Sequence, residues 1–346
     1  MRWKNRPPNS NWGDFCPDDQ RGRMNWVTRE KVLQGVAEVK EGISFCLSLP
    51  LDYPGGNVLN PRRVPPRLAA TSRDGKQFFC RPLNEYNDRM TDVICDDQVL
   101  MSLQYSTQWD SFAHVGGRFD ADGDGKAEIV FYNGFTEEHI RQAKENPAAE
   151  PWARFEGTRA EALGIQGLAE HGAQGRGVLI DLHFHFQRKR KAVGYDDLMR
   201  VLEKDRVEVE KGYMVCLYTG FADVLLEMKK QPDAKLLGET CSGLQGRDPK
   251  LLQWISDSGL AVLIADNYAV ELIATALTDP LPKVQPWLPL HEHCLFKNGI
   301  HLGEMFYLTE LARWLRSHQR YRFLLTAPPL RLPGAVGSPG TAVATV

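Results

Sequence analysis

Uninterrupted apolar runs alternate with amphipathic stretches only in the second half of the chain. Gly177-Val-Leu-Ile-Asp181, Tyr213-Met-Val-Cys-Leu-Tyr218 and Ala261-Val-Leu-Ile-Ala265 have the length and the all-apolar character of strands covered on both faces. Between and after them the period becomes helical, over Asp196 to Lys204, over Pro249 to Ser256 behind the capping Asp248, and over Leu308 to Ser317, before a last apolar run at Phe323-Leu-Leu325. Strands interleaved with helices predict an α/β domain. The first hundred residues read differently. They are rich in Pro, Gly, Asn and Arg and carry one helical pattern, from about Thr28 to Lys40, with Val32, Leu33, Val36, Ala37 and Val39 on one face. Residues 1–95 are therefore expected to be an irregular segment wrapping the core or a partner subunit. Residues 328–346, dense in Pro and Gly, are expected to be an irregular tail. With no internal repeat and no linker, residues 1–346 read as one domain.

Composition adds exclusions. Of 346 residues 42% are hydrophobic and 25% charged, the net charge is −2, and the only dense basic run, Arg188-Lys-Arg-Lys191, reads as a solvated loop after a strand. That balance gives no electrostatic footprint for nucleic acid or an anionic membrane. The basic start Met1-Arg-Trp-Lys-Asn-Arg-Pro-Pro leads into no apolar stretch of a secretory signal, and no segment approaches the roughly 20 apolar residues of a membrane span. Seven cysteines (Cys16, Cys46, Cys80, Cys95, Cys216, Cys241, Cys294), odd in number and scattered, predict a reducing, cytoplasmic setting. Cys294 beside His293 is the one Cys/His neighbour pair, and adjacent helical residues diverge by about 100°, which argues against a nucleophile there.

Chemistry concentrates in two places. In Gln104-Tyr-Ser-Thr-Gln108-Trp-Asp110-Ser-Phe-Ala-His114, residues two apart on a strand share a face, so that Gln104, Gln108 and Asp110 can converge with His114 beyond the strand end. Aspartate is a hard anionic metal ligand, and histidine titrates where a proton shuttle is useful. A strand with a merely solvated polar face explains the same residues. The second cluster is Leu290-His291-Glu-His293-Cys-Leu-Phe-Lys-Asn-Gly-Ile-His301-Leu-Gly-Glu304. Its spacing matches no compact helical zinc motif, but a helix, a turn at Gly299 and a strand would let His291 and Glu304 meet. His293 and His301 read as surface or partly buried side chains.

Together the two clusters resemble the cyclase family, which includes bacterial kynurenine formamidase and isatin hydrolase. The family signature H-x-G-T-H-x-D-x-P-x-H lines up with Gln104-x-Ser106-Thr107-Gln108-x-Asp110-x-x-x-His114. The similarity extends to Asn11-Trp-Gly13, Asp18-Asp19-Gln-Arg-Gly22, Tyr132-Asn-Gly134, Gly175-Arg-Gly-Val-Leu-Ile-Asp181, Tyr218-Thr-Gly220, Ile264-Ala-Asp-Asn267 and Ala327-Pro-Pro329. The resemblance implies the swivelling β/β/α domain of that family. It also implies a homodimer or higher homo-oligomer acting on a small-molecule substrate. Carried over, Asp110, His291 and Glu304 are implied as metal ligands and His114 as the proton-transfer group. The implied reaction is opening of a cyclic amide, imide or lactone, or cleavage of an N-acyl (formyl) amide, by hydroxide on a divalent ion. Trp12, Trp109 and Phe112 are expected as an aromatic wall for a flat substrate. Both leading histidines of the signature are glutamines here, and an amide oxygen is a weaker ligand than imidazole for zinc or manganese, so one ion per chain is expected.

Two other motifs compete. Asp181-Leu-His183-Phe-His185 would place both histidines on one strand face, as in barrel amidohydrolases, but no later ligands accompany it, and a strand emerging to solvent is the expected reading. Asp120-Ala-Asp122-Gly-Asp124-Gly-Lys-Ala-Glu128 resembles the opening of a calcium loop, yet Phe131 stands where the bidentate glutamate belongs, so a polar surface turn is expected. A metal-free binding or structural member of the fold, or a metal-assisted lyase or dehydratase, are the alternative functions. Metal content separates the first from a hydrolase, and incorporation of oxygen from labelled water separates the second.

Overall fold

The computed structural model describes residues 1–273, 280–281 and 283–346. Among the described residues, nine strands form a central mixed sheet: β1 (Ser44–Cys46), β2 (Gln108–Asp110), β3 (Gln174–Asp181), β4 (Met214–Tyr218), β5 (Val262–Ala265), β6 (His301–Glu304), β7 (Arg322–Thr326), β8 (Gly337–Pro339) and β9 (Val343–Thr345). Their spatial order is β1-β9-β7-β3-β4-β5-β6-β2-β8. Strands β3 to β6 run parallel. Antiparallel strands flank them on both sides.

The apolar runs of β3, β4 and β5 are covered on both sides because each face carries its own core. Val178, Ile180, Val215, Leu217, Leu263 and Leu302 face helices Tyr195–Asp205 and Pro249–Asp257 and the helical stretch 289–297. Leu179, Met214, Cys216, Val262 and Ile264 face helix Thr309–Ser317. The two sets alternate residue by residue, as the pleat requires. Asp248 opens its helix as expected, accepting from the backbone N–H groups of Lys250 and Leu251. A single N-terminal helix, Arg29–Val36, is capped by Thr28.

Three expectations are corrected. The N-terminal helix ends at Val36, well short of Lys40, and leaves Leu33 and Val36 exposed. Its buried contact is a glycine: a Cβ on Gly35 would lie 2.8 Å from the backbone of Gly175 in β3, so close approach rather than an apolar stripe docks it. The tail 328–346 is not irregular, since it supplies β8 and β9. Pro339 fits because β8 is the edge strand, where a missing N–H costs no ladder bond. Nor is segment 1–95 irregular throughout. It supplies the edge strand β1 and most of an arm of short antiparallel pairs that runs from Arg67 to Leu100.

Several family-like motifs act as fasteners. Asn11 donates to Asn298 O at 2.9 Å and Trp12 Nε1 to Phe296 O at 2.8 Å, while Asn133 donates to Cys16 O, Pro17 O and Asp19 O. The N-terminal segment is thereby clamped onto residues 296–299. Arg23, buried at 2% exposure, donates to Ile255 O, Ser256 O and Asn298 Oδ1, satisfying carbonyls at the end of helix Pro249–Asp257. Gly22 and Gly299 meet backbone to backbone, both at φ +54°: a Cβ on Gly299 would sit 2.6 Å from Tyr132 Cζ and 2.7 Å from Gly22 Cα. Gly299→Ala is expected to destabilise the chain by about 2 kcal/mol or more, measured as the denaturant midpoint, because strain and overlap act together. An unchanged midpoint would mean that this turn is not a fixed point of the fold.

Candidate metal centre

Strand β2 lies between β6 and β8, and its register against β6 sets Gln108 opposite Glu304 and Asp110 opposite Leu302. The pleat then puts Gln108, Asp110 and Glu304 on one face, with Trp109 on the other. Thr107 pins the end of the strand: its hydroxyl donates to Met305 O at 2.6 Å and accepts from Leu49 N at 2.9 Å. His291 arrives from a different direction. It ends the short helix Pro289–His291, which widens into a π-helical stretch, Glu292–Lys297, before the turn at Gly299 returns the chain as β6. Helix, turn and strand bring His291 and Glu304 to one place.

Ligand atoms of Asp110, His291 and Glu304 lie within 4.8 Å of one another, and the three residues are 0%, 2% and 3% exposed. His291 Nε2 is 3.1 Å from Glu304 Oε1 and 4.0 Å from Asp110 Oδ2. The other ring nitrogen, Nδ1, is held 2.9 Å from Glu271 Oε1. Glu271 in turn accepts from the backbone N–H groups of Leu290 and His291, so its carboxylate fixes both the ring and the turn that carries it. Burial opposes the charge of His291, yet its hydrogen bonds to Glu271 and Glu304 outweigh it and push the imidazole up to about 10. Burial pushes Asp110 up, with Glu304 reinforcing it. Glu304, equally buried, is held below the usual carboxylate range by its bond to His291. Arg63, which lines a small cavity with Asn60, Tyr105, Tyr268 and Met305, lends positive charge to both carboxylates.

The donor set fits a divalent ion. Two carboxylates and one neutral-capable imidazole suit zinc or manganese, and the second nitrogen of His291 is already bonded to a carboxylate, the usual arrangement behind a ligating histidine. Asp110 Oδ2 and Gln108 Oε1 are buried without a hydrogen-bond partner, which a cation would relieve. Gln108 Nε2 meanwhile donates to Asp110 Oδ1 at 3.3 Å and to Glu304 Oε2 at 3.1 Å, bridging the carboxylates with an amide. Ser111 starts a turn, accepting from His114 N at 3.0 Å, that swings His114 back until its Nε2 is 3.8 Å from Asp110 Oδ1, with the side chain 22% exposed.

Gln104 precedes β2 in a turn, and its amide occupies the place that a Cβ on Gly337 of β8 would fill, on the face that carries Asp110, with no hydrogen bond to the three ligands among the described residues. The aromatic wall is corrected to packed core. Trp109 belongs to the opposite face of the sheet, edge-on to Phe306 at 5.4 Å. Trp12 packs on Phe296 at 5.2 Å, Phe112 stacks on His301 at 4.0 Å, and neither Trp12 nor Phe112 exceeds 1% exposure. His183 and His185 do not share a strand face: β3 stops at Asp181, whose side chain caps helix Leu182–Phe186, and the histidines diverge to Thr219 O and Asp205 Oδ2. Asp120, Asp122 and Asp124 form the exposed turn of a hairpin, accepting from its own backbone N–H groups. Sequence reasoning passed over Glu271. Its signal was a lone carboxylate inside the apolar run Ala269-Val-Glu-Leu-Ile273, a position that demands a buried partner.

The Cyclase family model matches residues 45–272. The chain belongs to the Cyclase family. A crystal structure described as a novel cyclase is 28% identical, with a TM-score of 0.72, and the match covers 97% of this chain and 99% of that one. Isatin hydrolase A from Ralstonia solanacearum shares the fold at 13% identity and TM-score 0.52, covering 92% of this chain and 97% of its own. An isatin hydrolase bound to the product analogue thioisatinate does so at 13% and 0.51, covering 92% and 99%. No curated protein matches the sequence. Its α/β class and mixed-sheet architecture are those of the cyclase fold, and no helix among the described residues is long and apolar enough to cross a membrane.

Within this cyclase site Glu271 is a positioning residue. Glu271→Gln is expected to weaken zinc or manganese binding by about 10–100-fold, read by competition with a chromogenic chelator, since it loosens the ring that must present Nε2. Unchanged affinity would show that the backbone alone orients His291.

Proposed function

We propose that this cyclase is a metal-dependent hydrolase of carbon–nitrogen bonds other than peptide bonds, opening a cyclic amide or imide, or the related lactone, or removing an N-acyl (formyl) group. One observation carries the reading: a buried Asp110, His291 and Glu304 trio in which Asp110 Oδ2 has no hydrogen-bond partner. Fold relatives named as isatin hydrolases support it.

Asp110, His291 and Glu304 would hold one manganese or zinc ion. Such an ion, when bound, lowers the pKa of water and polarises a carbonyl oxygen. Everything else falls to the chain. His114, on the solvent side of Asp110, takes the proton of the attacking water and returns it to the leaving nitrogen. Glu271 keeps His291 aimed inward, and the Gln108 amide restrains Asp110 and Glu304 through one donor each. Arg63 lends positive charge to Asp110 and Glu304. The Gln108 bridge also suits a metal-free scaffold, an alternative that stoichiometric metal in protein purified without chelator would exclude.

A screen of formylated anilines, isatin, lactones and cyclic imides with added manganese or zinc is expected to give turnover on at least one class. His114→Ala should lower that turnover by roughly 10²–10⁴-fold while leaving metal content intact. Loss of metal in the variant would make His114 a ligand, and full activity would remove it from the mechanism. Changing Gln104 and Gln108 together to His is expected to raise bound metal from about one ion per chain to about two, because two imidazoles replace weak amide donors. A double variant that gains no metal would show that backbone placement, not ligand type, limits the site. The arm presents Leu68, Val93 and Val99 at 73%, 58% and 55% exposure, which supports a homodimer. Sedimentation should give twice the chain mass, and a monomer would leave the arm without that role.

A further inference from the structure

Between Arg67 and Leu100 the arm folds into short antiparallel pairs, and one of them is bounded by cysteines. Arg81 pairs with Ile94 and Pro82 with Val93. Cys80 and Cys95 adjoin the end of that pair. Backbone bonds flank them: Leu83 N donates to Asp92 O at 2.9 Å in that register, and Asp96 N to Phe78 O at 2.7 Å one residue out of it, so the chain bulges at Phe79 and Cys80. Cys80 adopts φ 53°, and its backbone N–H lies 3.0 Å from Cys95 Sγ. Both residues are exposed free thiols, as are Cys16 and Cys46, whereas Cys216, Cys241 and Cys294 are buried. That contact brings the Cys80 backbone within one side chain's length of the Cys95 sulfur, near the roughly 4.4–6.8 Å Cα span of a disulfide. The arm therefore holds two accessible thiols side by side.

We propose that Cys80 and Cys95 form a reversible dithiol–disulfide site whose oxidant is a low-molecular-weight disulfide. One cysteine thiolate attacks a sulfur of the small disulfide, forming a mixed disulfide and releasing one small thiolate. The other cysteine thiolate then attacks the cysteine sulfur of that mixed disulfide, forming the Cys80–Cys95 bond and releasing the second small thiolate. The two protons lost by the cysteines end on the two released thiols, and the two electrons given up by the cysteines reduce the small disulfide. Closure joins the ends of the segment 81–94, so it constrains that hairpin of the arm. An exposed bond of this kind is reducible by excess small thiol, unlike a buried structural one.

The full-length protein is treated with oxidised glutathione, then analysed by intact mass and by peptide mapping without reduction. The expected product has lost two hydrogens and yields a single cross-linked peptide pair containing Cys80 and Cys95, reversed by reduced glutathione. Cys80→Ser and Cys95→Ser should each instead retain glutathione on the remaining cysteine, since no second thiol displaces it. Thermolysin cleavage within 81–94 should slow by about 10-fold or more in the oxidised parent and not in either variant. Stable glutathione on both cysteines of the parent, a bond joining Cys16 or Cys46 instead, or a link between two chains on a non-reducing gel would each overturn the proposal.

Discussion

Two carboxylates, Asp110 and Glu304, face one another in a site almost closed to water, and most of the surrounding structure can be understood as the cost of keeping them there. Their oxygens lie within 4.8 Å, where two unit charges repel by about 3 kcal/mol or more even at an effective dielectric of about 20. Burial adds a desolvation cost for each. Against this stand the imidazole of His291, two amide hydrogens of Gln108 and the charge of Arg63. The arrangement retains one unsatisfied oxygen on Asp110. A site balanced in this way is an acceptor for a cation rather than a stabilising ion pair.

Holding the balance requires that three chain segments far apart in sequence do not drift. Strand β2 is fixed by pairing on both edges, with β6 on one side and β8 on the other. The segment carrying His291 is fixed by the Glu271 carboxylate and, at its far end, by Asn11 and Trp12 of the N-terminal segment. Ends of β4 and β5 are knitted by Asp266, which accepts from Thr219 N, Thr219 Oγ1 and Gly220 N, burial pushing its carboxyl up to about 7. Asparagine, aspartate and glycine recur in these fasteners because each joins backbone to backbone across a turn that strands alone cannot span. The family-like motifs outside the metal centre are mostly of this supporting kind.

Histidine placement separates roles within one residue type. His291 is buried between two carboxylates and is pushed up, whereas burial pushes His293 and His301 down to about 4, with the charges of Lys297 and Arg23 adding to it at His293. His293 bonds Ser256 Oγ and His301 bonds Asp110 O, so both serve packing. His114 alone among these combines proximity to Asp110 with partial exposure. That difference follows from the turn at Ser111 and not from the identity of the side chain.

The apolar runs by themselves determined β3, β4, β5 and β7 and the helices between them, because strands covered on both faces leave a continuous apolar signature. The same holds for the clusters around Asp110 and Glu304, where carboxylates and histidines are denser than packing asks. Tertiary structure decided the rest. Strands β8 and β9 of the tail are three residues each and exist through pairing with β2 and with β7 and β1, so local propensity carried no trace of them. Trp109 was drawn away from the site by the pleat, and His183 and His185 by a helix that Asp181 caps where a strand was expected to continue. Glu271 became the partner of His291 only when folding brought together residues separated by 20 positions. A sequence records which side chains are chemically capable; which of them share a face, a shell or a proton is fixed by register and by contacts between distant segments.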